Sequence, residues 1–390
     1  MYASSRLLTT VFVLFAAVGL IHADSPAQAT SKAKFTYPPA ARANTGDWYH
    51  NTWVADPYRW LEQHGASTTT TWLDAQARLT RGYLDNTPRR KQILATARES
   101  LDYTRRNSLV YVSGKFYFCK NSGLQEQDSI YRSDTLDGDG ELLLDPNKLW
   151  PDGTRTLKTF SVSNDGKYLA YSVSVNGADV TEWKLLDLGT GKALAETLNA
   201  DFSTPQWSTK LAGFYYDKTS NIYFHTVNTD PANDQFIYSD NGWYCHGEVT
   251  SSGNYLIITE SQGTSSNCRV LVRELATDVK TVSWLFPTAN AVYDYICESD
   301  GVLYFRTSLD APKGYIIKMD LKDKAHYWEV VAQSDDALAN VYCVRDKLFV
   351  AYLHNGHSIV KVFGLDGQSL AQIELPGEGT AMAFRVDATE

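Results

Sequence analysis

The 390-residue chain is poor in cysteine, with five, and in methionine, with three. Cys119, Cys245, Cys268, Cys297 and Cys343 match no zinc-ligand spacing. They fall one per repeat of the pattern described below, mostly on strand-like segments, which predicts buried free thiols. An oxidising compartment would allow one or two bridges, and the odd count leaves at least one thiol unpaired. Positive charge is also in deficit. Lys and Arg total 36 against 45 Asp and Glu, and the net charge of −9 argues against a nucleic-acid partner. No Asn-x-Ser/Thr acceptor occurs, so N-glycosylation is not expected. No residue set points to a metal or other cofactor. His354 and His357 flank an Asn355-Gly356 turn without a third ligand, and His246 beside Cys245 is no stronger. Asp134, Asp137 and Asp139 lack the Glu that would close an EF-hand loop and read as a solvated hairpin turn.

Long apolar runs are missing after the amino terminus. There, Arg6 precedes an uncharged stretch from Leu7 to Ala23, and Asp24-Ser25 follows a plausible cleavage point. This is the architecture of a signal peptide over residues 1–23; a single membrane anchor is the alternative, but the apolar core is short and its flank is not basic. The expectation is cleavage, secretion to the extracellular space, and no membrane contact thereafter. Residues 24–34 are small and polar and read as a disordered linker.

What the chain has in abundance is a short hairpin unit. In Ser163-Asn164-Asp165-Gly166-Lys167-Tyr168-Leu169-Ala170-Tyr171 a polar turn feeds an aromatic and aliphatic strand, with Gly where a twisted hairpin needs φ > 0. Ser113-Gly114, Ser252-Gly253, Asp300-Gly301 and Arg345-Asp346 open further copies, and Thr209 to Tyr215 is a degenerate one. The spacing of roughly 40–50 residues is that of a four-stranded propeller blade. A total of 24 Tyr, 15 Phe and 10 Trp suits a strand-rich protein. The fold expected is mainly β, a β-propeller over residues 106–390 whose last blade is incomplete. A short extended and helical segment over 35–105 precedes it. In that segment Asp56 is expected to cap a short helix with Pro57 at its first position. A second helix carries Trp72, Ala75, Ala77, Leu79 and Leu84 on one stripe. Pro88 is expected to start a third, through Ile93 and Leu94 to about Leu101. Such helices need a packing partner.

These stretches together resemble the prolyl oligopeptidase family of serine peptidases. The resemblance is carried by Tyr37-Pro38-Pro39-Ala40-Ala41-Arg42, Asp47-Trp48-Tyr49-His50 and Val54 to Glu62. Ala75-Gln76, Leu79-Thr80 and Tyr83-Leu84 continue it, as do Lys120 to Gln127, Leu144 to Asn147, Thr307 to Lys313 and Leu375 to Thr380. It runs from residue 35 to 386. Asn51 departs from the Gly usual after the His, and the segment from Asp217 to Tyr238 is shorter than usual.

The resemblance implies a seven-bladed propeller joined to an α/β-hydrolase domain against which the amino-terminal helices pack. It implies a monomeric serine endopeptidase that cleaves short proline-containing peptides after proline without a cofactor, with the propeller gating access; secretion is expected from the amino-terminal pattern above. The catalytic Ser, Asp and His would come from the hydrolase domain; no catalytic residue is expected here. No G-x-S-x-G turn occurs, and Gly65-Ala66-Ser67 and Gly263-Thr264-Ser265 both lack the closing Gly. The family pattern places Phe202, Tyr244 and Thr264 at the rim of the substrate cavity; ordinary packing between blades is the competing role for each. On this reading the sequence is the non-catalytic portion of the enzyme and inactive alone. A stand-alone propeller binding module is the alternative. A glycan-active propeller would need two carboxylates facing each other, which the pattern does not place.

Overall fold

The computed structural model describes residues 35–200, 204–275 and 281–381. The expected signal sequence and linker, residue Phe202 and residues 382–390 of the propeller, where its last blade is expected to be incomplete, lie outside the described residues. The chain divides into two compact units, Met1–Thr96 and Ala97–Glu390.

In the first unit, β1 (Gly46–Tyr49) and β2 (Thr52–Ala55) form an antiparallel hairpin. Its two-residue turn is His50-Asn51, with φ of 46° and 65°. Asn tolerates this left-handed conformation better than most non-Gly residues, which explains how the turn closes without the family's Gly. Asp56 does not cap a helix. Its carboxylate receives Arg59 Nε at 2.9 Å, and only a 3-10 turn, Arg59–Glu62, follows, with no side-chain cap. Arg59 also grips Asp47 of β1. Helix α1 (Ser67–Asp85) half-buries Trp72, Ala75 and Leu79, spaced three and four apart, whereas Ala77 and Leu84 are exposed. Trp72 meets Trp60 edge-on at 6.3 Å, and Trp60 Nε1 donates to the Ala41 carbonyl at 2.8 Å. Helix α2 (Arg90–Leu101) begins two residues after Pro88, because Arg89 sits at φ 66° and cannot be its first turn.

Among its described residues the second unit holds six antiparallel four-stranded sheets, each built from four consecutive strands. Blade I is β3 (Arg105–Val112), β4 (Lys115–Asn121), β5 (Ser129–Ser133) and β6 (Glu141–Leu144). After the short helix α3 (Pro146–Leu149), blade II is β7 (Arg155–Val162), β8 (Tyr168–Val175), β9 (Thr181–Asp187) and β10 (Lys192–Ala200). Blade III is β11 (Gln206–Trp207), β12 (Gly213–Lys218), β13 (Asn221–Thr226) and β14 (Gln235–Tyr238). Blade IV is β15 (Tyr244–Val249), β16 (Tyr255–Ser261), β17 (Cys268–Glu274) and β18 (Val282–Ala291). Blade V is β19 (Tyr293–Ser299), β20 (Val302–Thr307), β21 (Tyr315–Asp320) and β22 (Trp328–Val331). Blade VI is β23 (Ala337–Val344), β24 (Lys347–His354), β25 (His357–Gly364) and β26 (Ser369–Ile373).

Each of the six hairpin units in the sequence is the link between the first and second strands of one blade. At Ser113-Gly114 and Asp300-Gly301 both turn residues take positive φ, the geometry that matches the right-handed twist of the flanking strands. At Gly166 the Ser163 Oγ reinforces the turn by accepting from the Tyr168 amide at 2.9 Å. The second strands are near-continuous apolar runs because both faces are covered. Leu169, Ala170 and Tyr171 are all buried.

The cores lie between consecutive blades. Tyr117 and Ile130 of blade I pack with Leu169 and Val173 of blade II. Leu185 and Leu198 of blade II pack with Phe214 and Tyr216 of blade III. Ile222 and Phe224 then meet Leu256 and Ile258 of blade IV, Val270 and Phe286 meet Leu303 and Phe305 of blade V, and Ile316 and Val331 meet Leu348 and Val350 of blade VI. Each fully buried side chain of this kind stabilises by about 1.5–3 kcal/mol relative to exposure. Blades are joined chiefly by side chains, which is why an aromatic-rich sequence suits this fold. The cysteines do not fall one per blade: blade IV holds Cys245 and Cys268, and blades II and III hold none.

Candidate functional site

A cleft of about 510 Å³ opens at one end of blades III and IV. Three turns build it. The first, between β12 and β13, is Thr219-Ser220, with φ of 53° and 62°. Two consecutive non-Gly residues in the left-handed region store backbone strain, which the rigid flanking strands must hold. The second turn is Asp240-Asn241-Gly242, where Gly242 takes φ 82° and Trp243 N–H closes on the Asp240 carbonyl at 3.2 Å. The third is the β16–β17 loop at Gly263. Trp243 and Tyr244 form part of the wall.

The wall is fixed from behind. The Arg269 guanidinium of β17 lies 3.7 Å from the Trp243 ring centre and 5.0 Å from that of Trp284. It pairs with Asp240 at 2.6 Å and with the fully buried Glu260. Glu260 also accepts from the Tyr238 hydroxyl at 2.7 Å. Burial, and then this bond to a carboxylate, raises the Tyr238 phenol well above its usual range. Stacking, two ion pairs and a hydroxyl therefore hold Trp243 in one orientation, the condition for a preformed binding wall.

Beside it, Asp217 of β12 is almost wholly buried and serves blade IV. It accepts from the Gly247 amide at 3.3 Å, contacts the Tyr244 hydroxyl at 3.5 Å and holds His246 Nδ1 at 2.5 Å. Burial pulls the His246 pKa down, but the Asp217 hydrogen bond and charge outweigh it, and the net shift is upward. A second buried histidine, His225, sits on Asp234 at 2.7 Å, and Tyr216 donates to the same carboxylate at 2.7 Å. Glu196 of blade II lies 3.9 Å from the other ring nitrogen. His225 has no exposed surface, and its one hydrogen bond, to Asp234, lies within blade III.

Of the three rim residues expected from sequence, Tyr244 lines the cleft and Thr264 is exposed one residue beyond Gly263, which also lines it. Tyr244 pairs across the sheet with Ser261 of β16. Phe202 lies outside the described residues. Asp217, Trp243 and Arg269 were not singled out as site residues from sequence. Period-two alternation puts Asp217 of β12 and both Arg269 and Arg273 of β17 at inward positions, a signal that does not single out Arg269.

His354 pairs with Asp336 at 2.9 Å across the base of the Asn355-Gly356 turn. Asp134 is tied to Lys115, and Asp139 to Lys120 and Arg106, so these carboxylates neutralise cations of blade I. Among the described residues no group of three or more His, Cys, Asp or Glu is placed to hold a metal ion.

A family profile described as "Prolyl oligopeptidase, N-terminal beta-propeller domain" matches residues 38–390. The prolyl endopeptidase of Elizabethkingia meningoseptica is 31% identical over 376 residues, covering 91% of this chain and 52% of that protein. Prolyl oligopeptidase A of Galerina marginata is 28% identical over 392 residues, covering 86% and 53%. Among solved structures, one from a study of two prolyl endopeptidases superposes with a TM-score of 0.80 at 26% identity, covering 88% of this chain and 54% of its own. Prolyl oligopeptidase B from Galerina marginata, bound to a 35mer hydrolysis and macrocyclization substrate, gives 0.76 at 26% identity, covering 87% and 53%. The chain spans about half the length of these relatives. With six blades in sequence order and a profile match over nearly its whole length, the chain belongs to the prolyl oligopeptidase family, as the family's N-terminal β-propeller domain.

Proposed function

We propose that these residues are the propeller half of a serine endopeptidase that cleaves short peptides after proline, and that the propeller governs which peptides reach the hydrolase site. One observation carries this reading: the match takes in nearly all of this chain but only 52% of a prolyl endopeptidase. The nucleophile, base and orienting acid belong to the other half of the relatives' length, since no G-x-S-x-G turn lies within these 390 residues. In this proposal the cleft at Trp243 and Tyr244 contributes an aromatic and hydrogen-bonding wall to the peptide path. The amino-terminal unit packs on the hydrolase. Its exposed Leu73 and Ile93, and a groove of about 690 Å³ between Pro38–Ala43 and α1, favour such a partner. The apolar run before residue 23 favours a secreted product.

The test is to recover the native protein with an antibody to the Asp56–Glu62 region and treat it with a fluorophosphonate probe. A labelled species of roughly twice this chain's mass is expected, given the 52% coverage. The 390-residue chain expressed alone should neither label nor hydrolyse a proline-containing reporter peptide. A native species of this chain's own size that stays unlabelled would overturn the peptidase reading and favour a stand-alone binding module.

A further inference from the structure

Cys297 and Cys343 stand apart from the other three cysteines. Cys119, Cys245 and Cys268 are buried, and burial pushes their thiols up to about 12, 11 and 11, where they are inert at neutral pH. Cys297 and Cys343 are each partly exposed. Cys297 lies on β19, the first strand of blade V, and Cys343 on β23, the first strand of blade VI. Both pack at the edge of the apolar cluster between these two blades. The register of β19 shifts between Tyr295 and Cys297, a bulge of the kind that re-aims a side chain. A side-chain hydrogen bond joins the two thiols.

We propose that Cys297 and Cys343 form a covalent modification site: a dithiol between blades V and VI that closes to a disulfide by exchange with a small-molecule disulfide. One thiolate attacks the small molecule, breaks its S–S bond and releases one half as a thiol. The partner thiolate then attacks the mixed disulfide, forms the Cys297–Cys343 bond and releases the second half. The protein loses two electrons and two protons; the small disulfide gains them as two thiols. The hydrogen bond donated by Cys297 favours the thiolate of Cys343, while that bond and burial hold Cys297 as the thiol. Cys343 is therefore the attacking group and Cys297 the resolving one. The product ties the first strands of blades V and VI, both of which pack on one apolar cluster.

The experiment equilibrates the folded 390-residue chain with oxidised and reduced glutathione, quenches with acid, alkylates and digests with trypsin. Cleavage at Arg306 and Lys324 places the two cysteines on separate peptides. The expected product is one linked pair, Cys297 with Cys343, with Cys119, Cys245 and Cys268 still alkylatable after unfolding. In Cys297→Ser, oxidation should stop at a stable glutathione adduct on Cys343. The linked form should unfold at a higher temperature, and dithiothreitol should reverse the shift. Separate glutathione adducts on both cysteines of the unmodified chain would overturn the proposal. So would two free thiols at a ratio that oxidises an ordinary dithiol peptide. Neither readout depends on the variant folding.

Discussion

Replacing Arg269 by Met removes the cation behind the candidate site and leaves its wall unsupported. Glu260 has no exposed surface and keeps only the Tyr238 hydroxyl at 2.7 Å once Arg269 is gone. Removing one partner of a buried pair costs about 3–5 kcal/mol, because the other charge stays uncompensated in a poorly solvated place. The lost stacking on Trp243 falls within that figure, at about 0.5–2 kcal/mol. Converting Glu260 to Gln in the same chain removes the stranded charge, so Glu260→Gln/Arg269→Met should be more stable than the sum of the single changes allows. The expected coupling is about 1–3 kcal/mol. Urea unfolding followed by tryptophan fluorescence reads both quantities, since Trp243 and Trp284 flank the altered side chain. An Arg269→Met chain within about 0.5 kcal/mol of the parent would refute the reasoning. Strict additivity in the double variant would refute it equally.

Other consequences are open to measurement. Asp234→Ala strips the buried His225 and Tyr216 of their shared acceptor and should cost about 3–5 kcal/mol by thermal or chemical unfolding; a loss under about 1 kcal/mol would contradict a structural role for this buried cluster of blade III. His246 has its folded pKa raised above 6.5 by Asp217, so its contribution is complete below that pH and fades as pH rises through the folded value. The stability difference between the parent chain and His246→Gln should shrink from pH 6 to pH 9, and a difference that grows would reverse the assignment. Gly301→Ala has open space for its methyl group but keeps φ at 79°, so strain alone should cost about 1–2 kcal/mol. A neutral result would mean that the turn relaxes.

The site was less legible in the sequence than the fold. Tyr244 and Thr264 were placed by family pattern, because an aromatic or a threonine near a strand end carries no spacing signal of its own. Asp217 and Glu260 look like ordinary alternating strand residues. They become site residues only because Asp217 of blade III reaches β15 of blade IV, and because Arg269 closes over Glu260 on the next strand. The cap expected at Asp56 failed for a related reason: Arg59 offered that carboxylate a stronger partner than a backbone amide. The stripe expected on α1 kept Trp72, Ala75 and Leu79 but not Ala77 or Leu84, since only one side of the helix meets the Trp60 region.

By itself the sequence determined the repeat. Turn residues are local, and six turn signals became six first-to-second strand links, four of them with Gly at positive φ and one, at Arg345, with a non-Gly residue there. Aromatic and branched runs likewise marked the second strands, because burial on both faces leaves no polar alternation to hide them. Only the tertiary structure decided which residues from different blades meet. The distance between Cys297 and Cys343 along the chain, or between Asp217 and His246, says nothing of their contact. That contact depends on how whole sheets pack, a sum over many side chains that no single stretch encodes.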